Sequence, residues 1–317
     1  MNFIQKTVNK VNEYQQNHKY LSFAYAVIKK YGQDNGSYLS AIITYYSVLS
    51  LFPLLIVFTN LTQIILKNNH ALKNRIASSI NHYFPIIGNQ LTHNIHGERG
   101  TGIAIIVSLI ITFYGALGCA SALQYALNNV WKIPKINQPN YIKNITRNLG
   151  IIIGGGIGFI IASTLSTYVT ILGHDIFIKI LTTVLSTVIL WITFIWVFKL
   201  SVSGNKSFKE VFLSSAIAAI GLQIIQSLGG LILSHELKEL RNGYGIFSLI
   251  IGLLFWIYLQ AEVILYSVEI EVVRSYRLYP RSFNNQLTKK DKVAYKENTK
   301  STRQHIDENI NVDFKKK

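Results

Sequence analysis

Charged residues are scarce in this sequence of 317 residues. Aspartate, glutamate, lysine and arginine together make up 15% of it, whereas soluble proteins carry about 25%. Half of the residues are hydrophobic, and they are grouped in long blocks that do not follow the amphipathic spacing of a water-soluble core. The shortage of charge excludes an ordinary soluble domain. The apolar blocks predict an all-α fold, a polytopic bundle of membrane-spanning helices.

Cysteine is almost absent as well. The single cysteine, Cys119, lies inside an apolar block, so an intrachain disulfide is excluded. The N-terminus also lacks an apolar core followed by a small-residue cleavage site. We therefore expect no cleaved signal peptide, and the first span is expected to serve as the insertion signal.

Six apolar blocks are long enough to cross the roughly 30 Å hydrocarbon core of a bilayer as helices. They lie at about 39–66, 101–127, 149–173, 177–200, 211–235 and 246–270. The chain accordingly divides into three parts. These are a cytoplasmic or interfacial segment (1–38), a membrane domain (39–273) and a basic, largely disordered cytoplasmic tail (274–317).

Amphipathic patterns outside the spans predict interfacial helices in the N-terminal segment and in the first external loop. In the N-terminal segment, Phe23, Ala24, Val27, Ile28 and Tyr31 recur at helical spacing. Such a helix can lie on the membrane surface or pack on cytosolic loops, and the pattern fits both. In the loop we expect two short helices, with a re-entrant hairpin as the alternative.

Basic residues outnumber acidic ones, and their placement predicts the orientation of the chain. Of the 31 lysines and arginines, 24 fall in the terminal segments and in the loops that share their side of the membrane. This excess predicts a multi-pass protein of the plasma (inner) membrane with both termini in the cytoplasm. Twelve of them lie between Arg274 and Lys317, so the basic tail is expected to contact anionic lipid headgroups of the bilayer. Placement beside spans argues against nucleic acid as a partner, and a homo-oligomer is compatible with the sequence.

Small residues and one proline predict how the helices pack. Pro53 removes a backbone donor near the middle of the first span and is expected to kink it near Leu49. In the third span, Gly154 and Gly158 form a GxxxG pair, and in the second span Gly118 begins a similar small-residue pair. Such pairs allow close contact between helices in membranes.

The sixth span contains a carboxylate, Glu262, two residues after Gln260. An ionised side chain at the centre of a span costs about 2.5–3.5 kcal/mol on insertion scales, so it is a candidate functional residue. Counted along the helices, Tyr45 and Tyr46 lie at a similar depth. We predict an intramembrane polar site in which Glu262 accepts hydrogen bonds from Tyr45, Tyr46 or Ser50. This carboxylate could couple proton movement to a substrate, or it could serve only as an interhelical hydrogen bond that fixes packing.

Histidines collect on the predicted external side. His93 and His96 have i, i+3 spacing, while His174 and His235 are each followed by an acidic residue. Imidazoles with carboxylates could bind Zn²⁺ or Cu²⁺, or sense external acid. The alternative is that histidine simply favours interfaces.

Three stretches of the chain resemble the YihY/BrkB family of bacterial inner-membrane proteins, once labelled ribonuclease BN. They are AIITYYSVLSLFPLL at 41–55, FYG at 113–115 with ALNNVW at 126–131, and YG at 244–245 with LFWIY at 254–258 and AE at 261–262. One departure is Gln260, where the family usually has glycine. The resemblance covers about residues 20–275. It implies a six-span plasma-membrane protein with suggested roles in transport, lipid translocation, envelope integrity or virulence.

Motifs of several enzyme classes are missing. The chain has no HxH, which excludes the HxHxDH metal motif of tRNA-processing nucleases, and it has no P-loop, GxSxG or HExxH. We therefore expect no enzyme activity and no cofactor. The leading hypothesis is translocation of a small molecule, an ion or a lipid through the polar site. The alternative is a non-transporting scaffold that supports envelope assembly or integrity, and a membrane-embedded enzyme is third.

Overall fold

The structure is a computed structural model that describes residues 3–65, 102–172, 176–204, 206–244, 246–283, 287–303, 308 and 310–314. The described residues form nine α-helices and one short 3₁₀ turn at Lys135–Asn137. The helices are α1 (Phe3–Asn17), α2 (Lys19–Gln33), α3 (Gly36–Ile65), α4 (Gly102–Val130), α5 (Tyr141–Leu172), α6 (Ile176–Ser201), α7 (Phe208–Tyr244), α8 (Ile246–Ser275) and α9 (Lys289–Ser301).

The six long helices, α3 to α8, form the membrane domain. Within the described residues, α4 to α8 are each long and apolar enough to cross a membrane. The sixth, α3, has 30 residues, and its side chains are described only as far as Leu54. Apolar side chains such as Ile106, Ile160 and Ile192 cover the outside of the bundle and are 60% to 63% exposed, as expected for a surface in contact with lipid tails. The prediction of an all-α membrane bundle is confirmed.

The long helices are arranged in a closed ring that follows the order of the chain. Each helix packs on the next, and α8 closes the ring by packing on α3. Buried apolar side chains from α4, α6 and α8 fill the centre, among them Leu127, Phe198, Leu265 and Val272. This closure places α8, which carries Glu262, beside both α3 and α7.

Close helix contacts lie at the predicted small residues. A β-carbon at Gly154 would overlap the Trp196 ring of α6, and one at Gly158 would overlap Thr193. On α4, Gly118 lies against the Tyr46 ring in the same way. Pro53 lies within α3. The loop after the first span, with its predicted helices, lies outside the described residues.

One end of the bundle, which we call the terminal face, brings together α1, α2 and the segment after α8. Apolar contacts seat α2 there: Ala26 and Val27 are buried with Val273, Leu278 and Ala294. On the other side of α2, Ile28 is 60% exposed. The amphipathic helix α2 therefore packs on protein with one side, and Ile28 on its other side is left exposed.

The C-terminal segment differs from the predicted disordered tail, because it contains helix α9. Thr288 caps this helix in a capping box with Asp291, in which each side chain bonds the other residue's backbone N–H. Asp291 is fully buried, and Ala294 belongs to the apolar cluster around α2. Composition predicts disorder because the segment is highly charged, whereas its order comes from a few specific contacts with α2.

Candidate functional site

Glu262 is paired with a tyrosine of α2. The Tyr31 hydroxyl lies 2.5 Å from Oε1 and 2.6 Å from Oε2 of Glu262. The tyrosine is buried, while the carboxylate keeps partial exposure. Burial, and then the hydrogen bond to Glu262, raise the pKa of the Tyr31 phenol above its usual value. The phenol therefore stays protonated and donates a hydrogen bond to the carboxylate.

A tight connection between α2 and α3 holds Tyr31 in this position. Only Asp34 and Asn35 separate the two helices, and Asn35 has a φ of 56°, a left-handed conformation that asparagine tolerates. The next residue is Gly36, where a β-carbon would overlap the Tyr31 ring. That ring also stacks on Tyr266, with centroids 4.1 Å apart and planes 11° apart.

Two tyrosines of α8 flank Glu262 along the helix. Tyr258 lies four residues before it and Tyr266 four residues after it, so all three share one face. The Tyr258 side chain also interacts with Glu262 and with Ser37. The carboxylate is thus bonded by the Tyr31 phenol and has Tyr258 and Tyr266 beside it on its own helix face. Among the described residues, no lysine, arginine or histidine lies within ion-pair distance of it.

The predicted partners on α3 lie elsewhere. Tyr45 is 61% exposed on the outside of the bundle, and Tyr46 packs against Gly118 of α4. The Ser50 hydroxyl donates to the Ser47 carbonyl oxygen of its own helix. None of the three bonds Glu262 within the described structure. The prediction of these hydrogen bonds is wrong because depth along a helix does not give the direction in which a side chain points. Gln260 donates to the Trp256 carbonyl at 3.5 Å, so it too bonds within its own helix.

A second carboxylate of α8, Glu269, belongs to a buried ion-pair cluster at the terminal face. Lys30 Nζ lies 2.7 Å from Glu269 and 2.5 Å from Asp34, and it also donates to the Val130 carbonyl at the end of α4. Lys132 Nζ lies 2.7 Å from the other oxygen of Asp34. Burial disfavours the charge on Lys30, but Glu269 and Asp34 outweigh this and raise its pKa. The cluster contains two cations and two carboxylates.

A third carboxylate, Asp291, attaches α9 to α2. It accepts from Lys29 Nζ at 2.9 Å, from Arg281 Nε at 2.9 Å and from the Ser282 backbone N–H at 3.0 Å. The Thr288 hydroxyl lies 2.9 Å away. Burial favours the neutral acid, but the hydrogen bonds from these groups outweigh it and hold the pKa of Asp291 at about 2. The carboxylate is ionised at neutral pH and fixes the tail.

The structure does not describe the histidines of the predicted metal site. His93, His96 and His174 lie outside the described residues, and so does the His235 side chain. In the described part of the chain, no group of three or more histidine, cysteine, aspartate or glutamate side chains could hold a metal ion.

Sequence reasoning missed Tyr31, Tyr258 and Tyr266. The two tyrosines on α8 carry a signal, because the spacing Y-x₃-E-x₃-Y places them on the face of Glu262. Tyr31 is separated from Glu262 by 231 residues, and no local pattern connects them.

Comparison with known proteins gives the family. The family model described as virulence factor BrkB matches residues 27–292, which include every residue of the Glu262 site and of the two ion-pair clusters. The chain belongs to the BrkB family. The resemblance predicted from the sequence is confirmed, and this BrkB-family chain is an integral membrane protein.

A curated relative agrees with this assignment. The UPF0761 membrane protein of Psychrobacter sp. (strain PRwf-1) is 24% identical over 282 residues. The match covers 83% of this BrkB-family chain and 51% of the relative, so the chain spans about half the length of that relative. No solved structure matches the chain.

Proposed function

We propose that this BrkB-family protein translocates a small molecule, an ion or a lipid across the membrane through a polar site centred on Glu262. The observation that carries the proposal is the location of this carboxylate together with the groups that bond it. Glu262 lies in a membrane span, is partly exposed, and is bonded by phenols without a cation. A carboxylate in a span is costly, and it is usually found where a substrate or an ion passes.

We further propose that the protein lies in the plasma membrane and that its terminal face is on the cytoplasmic side. Three of its acids, Asp34, Glu269 and Asp291, are buried in ion pairs. These three acids are therefore not available to repel anionic headgroups. On α9, the exposed lysines Lys289 and Lys296 are spaced two turns apart, which suits contact with anionic headgroups.

The test is a flux measurement on the purified full chain in liposomes. Proton influx is followed with internal pyranine under a pH gradient, and lipid translocation with an NBD-labelled phospholipid and external dithionite. We expect the protein to accelerate at least one of these fluxes over empty liposomes. Glu262→Gln should reduce that flux about tenfold or more, because the charge is removed from the path. Tyr45→Phe is the matched control, since Tyr45 faces outward.

The same experiment tests the scaffold hypothesis, which one observation favours. Tyr31 bonds both oxygens of Glu262, as an interhelical hydrogen bond that only fixes packing would do. Flux equal to that of empty liposomes for both probes would overturn translocation of these two classes. A loss of clearly more than about 1 kcal/mol in the stability of Glu262→Gln beside it would support the scaffold. An enzyme activity is not part of the proposal.

A further inference from the structure

Glu262 is the exception among the described acids between Asp34 and Glu297; outside that range, the exposed Glu13 and Asp313 also have no ion pair among the described residues. Seven acids between Asp34 and Glu297 have described side chains, and six of them have a lysine or arginine within ion-pair distance. Glu262 alone has none there, although it lies deepest in the membrane domain. Among the described residues, the cationic partner that those six acids have is missing at Glu262.

The groups around Glu262 indicate which kind of cation fits. Tyr258 and Tyr266 stand one helical turn on either side of the carboxylate, and Tyr31 stacks on Tyr266. Aromatic faces attract cations through their quadrupole, and such groups of rings recognise alkylated ammonium ions. A carboxylate that is bonded by Tyr31 and flanked by Tyr258 and Tyr266 therefore provides a counter-charge with aromatic side chains beside it.

Hard metal ions fit these groups poorly. Calcium takes six to eight oxygen ligands, and magnesium requires near-ideal octahedral geometry. The site offers one carboxylate and phenol oxygens, and Tyr31 already donates its hydroxyl proton to both carboxylate oxygens. An organic ammonium group needs only one counter-charge and apolar or aromatic contact.

We propose that the Glu262 site binds an organic ammonium group, with its charge beside the carboxylate and its carbon substituents against the tyrosine rings. The inference rests on the proposed function, because it names the chemical class of what the site takes. The ammonium group can belong to a soluble amine or to the headgroup of an aminophospholipid, which share this chemistry.

The test measures equilibrium binding to the purified full chain in detergent, without any flux. Choline chloride is titrated by calorimetry at constant ionic strength, with sodium chloride as the reference. In a parallel arm, native mass spectrometry compares bound phosphatidylethanolamine with bound phosphatidylglycerol. We expect choline or phosphatidylethanolamine to bind at least about tenfold more tightly than its reference, with the successful arm identifying the source of the group.

Variants separate the charge from the rings. Glu262→Gln should weaken binding by about tenfold or more, because the counter-charge is lost. Tyr258→Leu should weaken it about threefold to tenfold, while Tyr258→Phe, which keeps the ring, should change it less than about twofold. Tyr45→Phe is the control outside the site, and size-exclusion elution checks that each variant is folded.

Two results would overturn the inference. One is binding of choline and phosphatidylethanolamine that is no tighter than that of sodium and phosphatidylglycerol. The other is binding that Glu262→Gln leaves unchanged. Because binding is measured without translocation, ammonium binding in a protein that gives no flux would sustain this inference and count against the proposed function. Flux without ammonium binding would do the reverse.

Discussion

Glu262 and Glu269 lie on the same face of α8, seven residues and about 10 Å apart along the helix axis, yet their surroundings are opposite. Glu269 is fully buried and paired with Lys30, which is also paired with Asp34. Glu262 is partly exposed and bonded by the Tyr31 phenol. Lys30, which bonds Glu269, and Tyr31, which bonds Glu262, are consecutive residues of α2.

The difference separates two roles for a carboxylate on one helix. A buried ion pair is strongly destabilised when one partner is removed, because the other is left as an uncompensated charge. Such a pair is suited to holding helices together. A carboxylate bonded by a neutral donor can exchange that donor for another partner more easily. Such an exchange is needed in a site that binds and releases a ligand.

The largest effect is expected from removing the lysine of the buried cluster. Lys30→Met leaves Glu269 and Asp34 buried with only Lys132, so we expect a loss of about 3–5 kcal/mol in the free energy of unfolding. Thermal unfolding of the purified variant in detergent measures it. Lys19→Met is the control, because Lys19 is an exposed lysine of the same helix. Equal melting temperatures for the two variants would show that the cluster is not structural.

A smaller effect is expected from acid at the terminal face. The pKa of Asp291 is held at about 2, below the value of about 3.9 in an unfolded chain, so its ionised form stabilises the docked tail by about 2 kcal/mol above pH 4. This contribution is lost as the pH falls from about 4 through 2. Protection of α9 amides, measured by hydrogen exchange, should fall between pH 5 and pH 2.5.

The control for the acid experiment removes the titrating group. In Asp291→Asn, α9 should already be poorly protected at pH 5 and should change little at lower pH. Equal protection of the wild-type helix at both pH values would contradict the assignment of Asp291 as the residue that fixes the tail.

The comparison is tested most directly by the same substitution at both carboxylates. Glu269→Gln should cost about 2 kcal/mol, since Lys30 loses one of its two counter-charges. Glu262→Gln should cost less than about 1 kcal/mol, because the amide oxygen still accepts from Tyr31. Melting temperatures of the two variants measured side by side check this order, and a reversed order would break the comparison.

A small effect is also expected from the phenol. Tyr31→Phe removes the hydrogen bond to Glu262 but keeps the ring that stacks on Tyr266, so we expect a loss of about 1 kcal/mol. Thermal unfolding beside Tyr45→Phe measures it, and the control should stay at the wild-type value. A loss as large as that of Lys30→Met would mean that the Glu262 site is as structural as the buried cluster.

The sequence was sufficient to predict the helical bundle, because apolar blocks of this length have few other solutions in a membrane. It also singled out Glu262, because an acid in an apolar block is rare. Its partners could not be predicted in the same way. Depth along α3 pointed to Tyr45 and Tyr46, whereas the donor is Tyr31 on α2, and only the packing of α2 on α8 brings the two together. The order of α9 likewise comes from the bonds of Asp291 and not from composition.

Three consecutive residues of α2 bond acids that lie near the end of the chain, and this has a consequence for biosynthesis. Lys29, Lys30 and Tyr31 bond Asp291, Glu269 and Glu262, which lie 231 to 262 residues later in the chain. At roughly 5–20 residues per second, the ribosome needs roughly 10–50 s to synthesise those partners. Until then, α2 lacks these partners on α8 and α9. A chaperone or protease that acts on nascent membrane proteins would therefore meet α2 with Lys30 and Tyr31 still uncovered.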